Sequence, residues 1–291
     1  RNERANAFSS NASRRSFTGQ RHMKAWDQRF GGIERLVGPK AARCIQGAHA
    51  YIIGIGGVGS WAAEALARSG IGQLSLIDMD DICITNTNRQ IHATTESVGL
   101  SKVEVMKERI LAFQPECQVE AYHRFFNEST ASDGWLDGAD VIIDAIDRAS
   151  AKCLILKVAR EKGIAAICTG AAGGKVDPFQ IQTADLSQVH HDRLLQKVRK
   201  QLRATHGFPR SRSMGVYCVF SPETPRMPEP ASDACHPDDL REVSGRLGCA
   251  NGYGSITQVT GSFGFAAAAL ALRAIQVNDP SPLGRADKDL P

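Results

Sequence analysis

No two cysteines in this chain are spaced as CxxC. Eight are scattered at positions 44, 83, 117, 153, 168, 218, 235 and 249, which excludes a zinc knuckle or a dense disulfide framework and makes reduced thiols the expectation. Long apolar runs are also missing. The longest, Phe263 to Leu272, stops at Arg273, well short of the roughly 20 residues that cross a bilayer, so no transmembrane helix is expected. Charge of one sign is nearly absent in the balance: 35 basic against 31 acidic residues leaves +4, too little to imply a nucleic-acid partner unless the positives cluster. What is present is ordinary. With 42% apolar and 23% charged residues the chain is neither disordered nor fibrous, and 291 residues allow one large domain or two modest ones.

Residues 1–24 carry Arg1, Arg4, Arg14, Arg15, Arg21 and Lys24 against Glu3 alone, and their pattern predicts a disordered tail. An organelle transit peptide is the alternative, although no amphipathic period is visible; a cytoplasmic protein is the expectation. From residue 48, β-rich runs alternate with helical patterns. AHAYIIGIG, QLSLID, CQVEAYH, ADVIID and IAAICTG read as strands; Ser60–Arg68, Lys102–Phe113 and Ala151–Lys162 read as helices. This alternation predicts an α/β, Rossmann-like, doubly wound and mostly parallel sheet. We divide the chain into a core over 25–184 and a C-terminal extension over 185–291 packed on it. In the extension, FQIQT at the junction and VYCVFS read as strands, and HHDRLLQKVRKQLRATHG reads as a helix with Leu194, Val198 and Leu202 on its apolar stripe. Residues 221–250, with Pro222, Pro225, Pro228, Pro230 and Pro237, read as a long loop. Ser255–Ile275 reads as a buried or subunit-interface helix.

The first strand runs into Gly54-Ile55-Gly56-Gly57-Val58-Gly59 and then a helix. Glycines let a backbone approach phosphate closely, and a helix N-terminus offers free N–H groups and partial positive charge. Asp78, closing the second strand, stands where an acid binds nucleotide ribose. A triphosphate needs cations beyond the backbone cradle; Arg89 and Lys102, with Asn86, follow at suitable distance, and Asp147 beyond ADVIID could hold Mg²⁺. Each has a plain alternative: a surface ion pair for Arg89, a solvated lysine for Lys102, a helix N-cap for Asp147.

GIGGVGS, LIDMDDI, TNTNRQIHA, Gly99–Lys102 and DAID resemble, in order and spacing, the ubiquitin-activating-enzyme-like (ThiF-type) adenylation superfamily. RFGGIERLVG, GSWAAEALARSGIG, TGAAGGKVDPFQIQ, VYCVFS and GSFGFAAAALAL resemble its tRNA threonylcarbamoyladenosine dehydratase branch. The resemblance covers about residues 27–275. It implies that Gly54, Gly56, Gly57 and Gly59 cradle ATP, that Asp78 binds ribose, that Asn86, Arg89 and Lys102 hold the triphosphate, and that Asp147 takes magnesium. It further implies an arginine supplied by a partner subunit, for which Arg29 is the candidate and Arg35 the competitor, and a homodimer. Cys235 lies where thiol-ester relatives keep a nucleophile; an incidental thiol is the alternative reading. Zinc is not expected without CxxC pairs. A monovalent cation near the site and sulfur-transfer partners of the cysteine desulfurase type are compatible with the resemblance.

The implied chemistry is ATP-dependent dehydration of threonylcarbamoyladenosine in tRNA through a carboxyl-adenylate. Such a substrate calls for a basic surface, and Arg193, Lys197, Arg199, Lys200 and Arg203 cluster in one predicted helix with Asp192 as the single nearby acid. The competing reading is an adenylyltransferase that activates the C-terminus of a sulfur-carrier or ubiquitin-like protein.

Overall fold

The computed structural model describes residues 22–132, 134–227 and 253–277. Seven strands form one sheet in the order β3-β2-β1-β4-β5-β7-β6. They are β1 (His49–Ile53), β2 (Gln73–Ile77), β3 (Gln118–Tyr122), β4 (Val141–Asp144), β5 (Ala165–Thr169), β6 (Gln182–Asp185) and β7 (Tyr217–Phe220). Every pairing is parallel except β6 with β7. The central strands VIID and AAICT are buried on both faces, as a parallel sheet between helical layers requires. Chain order reverses between β1 and β4, the switch point where such sheets open a ligand crevice at their carboxyl edge.

Among the described residues, eight helices surround the sheet or pack on those that do: α1 (His22–Val37), α2 (Pro39–Gly47), α3 (Gly59–Arg68), α4 (Lys102–Phe113), α5 (Glu128–Ser132), α6 (Ala149–Lys162), α7 (Arg193–Thr205) and α8 (Thr257–Val277). One core holds α3, α4 and α8 against one face through Leu66, Val103, Met106 and Phe263. The other holds α6 and α7 through Leu156, Val158, Leu195 and Leu202. Each fully buried Leu, Val or Ile contributes about 1.5–3 kcal/mol. Helices α3 and α8 cross tightly because Gly264 has no side chain; a Cβ there would lie 2.6 Å from the Val58 carbonyl and 2.7 Å from Trp61 Cβ.

Three local expectations need correction. The tail read over 1–24 ends sooner, since α1 begins at His22; residues 1–21 lie outside the described residues. FQIQT is not one strand. Asp177 accepts the Phe179 N–H and starts a 3₁₀ turn over Pro178–Gln180, so β6 begins only at Gln182. The apolar stripe of α7 is Leu195, Val198 and Leu202, with Leu194 only half-buried, because the 3.6-residue period favours steps of three and four over two steps of four. Helix α8 is long and apolar enough by composition to span a bilayer, but 61% of that window is buried inside the protein, against α3 and the sheet. Residues 221–227 form no regular element; the rest of the predicted loop, with Cys235, lies outside the described residues.

Candidate nucleotide site

Three loops meet at the carboxyl edge of β2, β1 and β4, which are neighbours in the sheet. The middle one is the glycine loop. Gly54 has φ +94° and packs on β4's exit, where a Cβ would stand 2.9 Å from the Ala145 carbonyl; at Gly59 it would stand 1.8 Å from the Gly54 carbonyl. At Gly56 a Cβ would meet nothing within 4 Å, so this glycine keeps open space in front of the backbone. Helix α3 starts here without a side-chain cap; the Ser60 N–H is taken by the Gly56 carbonyl at 3.1 Å, and the positive end of the helix is left for an anion. The arrangement fits a phosphate chain.

Asp78 ties the second loop to the first. Its Oδ2 accepts the Ile55 N–H at 2.6 Å and its Oδ1 the Asp80 N–H at 2.9 Å. Burial pushes this carboxyl above its ordinary range, while Lys102 and the two N–H donors pull it back. Each oxygen keeps a lone pair for a sugar hydroxyl. Lys102 opens α4, is buried, and pairs with Asp80 at 2.9 Å; it is not the solvated lysine of the plain alternative. Asp80 is a partner that the sequence reading missed, although DMDD carries it two residues after Asp78.

Asn86 is buried and spends its side-chain oxygen on the Cys83 N–H at 3.0 Å. It closes a 3₁₀ turn, and only its amide N–H groups remain for a ligand. Arg89 is not in a surface ion pair: its Nη1 donates to the Thr85 carbonyl at 2.8 Å and the Asn88 side chain at 2.9 Å. Its methylenes pass over Gly57, 3.3 Å from where a Cβ would be. Its carbonyl accepts from Trp61 of α3 at 3.0 Å and Thr260 of α8 at 3.4 Å. Trp61 and Thr260 thus place Arg89 beside the loop; neither is given this role by the sequence, although Trp61 lies in GSWAAEALARSGIG, because what matters is their position across a helix crossing.

Asp147 follows β4 as an exposed carboxylate. It does not cap α6, whose N-cap is Arg148. Two residues earlier Ala145 packs on Gly54 and Gly59, so Asp147 stands at the same edge as the phosphate loop. A single carboxylate sharing the ion with phosphates is the common way to hold Mg²⁺, and the donor set fits.

Arg29 is elsewhere. It is exposed on α1 and lines a cavity with Trp26, Phe30, Gln46, Gly72 and Gln118, at the amino ends of the strands and a full strand length from the glycine loop. Arg35 is exposed on the same helix. That placement keeps Arg29 away from the glycine loop of its own chain.

Helix α7 divides the predicted basic cluster. Arg193, Lys197 and Lys200 are exposed. Arg199 instead donates to the Leu186 and Val189 carbonyls at 3.0 and 2.6 Å, and Arg203 to the Pro209 carbonyl at 3.0 Å, so these two fasten neighbouring loops. Asp192 caps the helix through the Leu195 N–H at 2.9 Å, accepts the Ala171 N–H at 2.9 Å, and lies 3.7 Å from buried Lys175. The one acid of the segment is therefore withdrawn from the surface. Burial pulls the Lys175 ammonium below its ordinary range, and Asp192 opposes that. The start of α7 adjoins the carboxyl end of β5 through the Asp192–Ala171 hydrogen bond, and its far end reaches Arg160 near the end of α6, so the exposed row begins near the crevice and runs away from it along α6.

The model of the ThiF family matches residues 33–286. The tRNA threonylcarbamoyladenosine dehydratase of Escherichia coli is 45% identical over 251 residues, covering 86% of this chain and 94% of that protein. The Bacillus subtilis protein of the same name is 40% identical over 196 residues, covering 67% and 75%. The crystal structure of the E. coli enzyme in complex with ATP superimposes with a TM-score of 0.76 at 42% identity, covering 87% of this chain and 96% of that one.

Proposed function

The chain belongs to the ThiF family, and from that premise we propose that it dehydrates N6-threonylcarbamoyladenosine in tRNA, beside the anticodon, at the expense of ATP. The observation that carries this reading is the match along 94% of the E. coli enzyme, with the glycine loop, Asp78, Arg89, Lys102 and Asp147 on one edge of the sheet.

A carboxylate is a poor electrophile because its oxygen is a poor leaving group. In the proposed reaction the substrate carboxylate attacks the α-phosphorus of ATP and pyrophosphate leaves. A nucleophile of the modified base then attacks the activated carbonyl, closes a ring, and expels AMP. The atoms lost from the nucleoside add up to one water. The protein's part is positioning and charge neutralisation. Asp78 orients the ribose; the N–H groups around Gly56 and the start of α3 receive phosphate oxygens; Arg89 and Lys102 offset the negative charge, with Asn86 donating from its amide. Asp147 would hold Mg²⁺, which when bound screens the phosphates and favours departure of pyrophosphate.

Arg193, Lys197 and Lys200, with exposed Arg210 and Arg212, form the proposed tRNA-contacting face, suited to phosphates and blind to sequence. Arg29 is proposed to act on the partner's site in a homodimer, consistent with its distance from its own. A cytoplasmic location and sulfur-transfer partners of the cysteine desulfurase type belong to the same proposal, as does any role for Cys235. The test is AMP release: threonylcarbamoyl-modified tRNA should elicit stoichiometric AMP and pyrophosphate, whereas unmodified tRNA should not. Pyrophosphate exchange supported only by a carrier protein with a Gly-Gly tail would replace this reading with the adenylyltransferase.

A further inference from the structure

Beneath the site lies a charged cluster that the mechanism does not use. Asp144 closes β4 and Lys152 lies in the first turn of α6, and both are fully buried. The Lys152 ammonium is 3.1 Å from Asp144 Oδ1 and donates to the Asp144 carbonyl at 3.3 Å and to Cys168 Sγ at 3.7 Å. The carboxylate accepts the Ile146 N–H on Oδ1 at 3.2 Å and the Cys168 thiol on Oδ2 at 3.4 Å. Stability is a poor explanation for the pair. A lysine in a first helical turn faces the positive end of the helix dipole, and a fully buried ion pair gives up so much hydration that packed apolar residues are commonly as stable or more so.

What the pair does hold is the turn after β4. The Ile146 N–H is fixed by Asp144, and the Ala145 N–H by the Ile53 carbonyl at 2.9 Å. Ala145 occupies the space denied to side chains at Gly54 and Gly59, and Asp147 is the next residue but one. We infer that Lys152 and Asp144 are positioning residues: they lock residues 145–147 against the glycine loop and so aim the Asp147 carboxylate at the metal-bound phosphates. This rests on the assignment of Asp147 to magnesium.

The experiment is calorimetric titration of the full-length protein with ATP, once with Mg²⁺ and once with EDTA, with thermal unfolding alongside, for wild type, Asp147→Ala and Lys152→Met. Lys152→Met is expected to melt earlier, because Asp144 is left buried without its partner, to keep its affinity for ATP in EDTA, and to lose about 10- to 100-fold of the Mg²⁺-dependent gain in affinity, the usual scale for groups that orient a metal ligand. If Asp147→Ala loses that gain while Lys152→Met keeps it, the inference is overturned and the metal assignment stands. If Asp147→Ala keeps the gain, the assignment fails and the inference with it. Should Lys152→Met not fold because Asp144 is left unpaired, Asp144→Leu/Lys152→Met, apolar at both positions, carries the same comparison. Failure of that variant to fold would show that the pair serves stability, which also overturns the inference.

Discussion

His92 is buried, and neither ring nitrogen has a hydrogen-bond partner among the described residues. Burial, with Lys102 and Arg109 nearby, lowers its pKa to about 4. The unfolded chain, with an ordinary histidine near 6.5, binds a proton that the native state refuses between pH 6.5 and 4, so His92 subtracts stability as pH falls through that window. The full effect is about 3 kcal/mol. Denaturant unfolding at pH 7.5 and at pH 4.5 should show a smaller acid loss for His92→Gln than for wild type; equal losses would remove His92 as a cause. At this scale the sequence was legible where chemistry imposes a residue type: four glycines, Asp78 and Asp147 stand at the predicted edge. It was less legible where a residue's partner decides its role. Asn86, Arg199 and Arg203 have the right chemistry for a ligand, yet spend donors or acceptors on local backbone that composition does not reveal. Trp61, Thr260, Asp80 and Lys152 gain their roles only from contacts across the fold.

Among the elements, the glycine loop separates two kinds of glycine. Gly59→Ala drives a methyl into the Gly54 carbonyl, so both stability and ATP binding should fall. Gly56→Ala meets open space, so it should melt like wild type and still lose ATP affinity, because the methyl occupies the phosphate's approach. Thermal unfolding and ATP titration of the two variants check this; equal melting losses would contradict the geometry. Helix α7 supports a second expectation. Changing Arg193, Lys197 and Lys200 together to Glu should leave ATP binding intact, weaken tRNA binding, and flatten its dependence on salt by up to about 3 counterions. An unchanged salt slope would move the RNA elsewhere. The strands from β1 to β5, with α3, α4 and α6, were legible because a doubly covered parallel sheet writes long apolar runs between helical periods; the short α5, polar over Glu128–Ser132, carries no such signal. FQIQT was misread since one Asp177 bond redirects the chain, and α7's stripe was offset by one residue since leucines stand at both 194 and 195.

For the molecule as a whole, the proposed homodimer, with Arg29 acting on the partner's site, carries the prediction that two chains complete each site. Arg29→Ala and Asp147→Ala should each be inactive alone. After subunit exchange about a quarter of wild-type activity should return, since half of the dimers are mixed and each has one intact site. An active Arg29→Ala protein would dismiss the trans arginine, and no recovery would argue against its sharing.

The central claim is tested most directly by nucleoside mass spectrometry of threonylcarbamoyl-modified tRNA incubated with the protein, ATP and Mg²⁺. The account predicts that the modified adenosine becomes lighter by one water, only with ATP and not with Asp147→Ala. ATP bound and the nucleoside mass unchanged would contradict it.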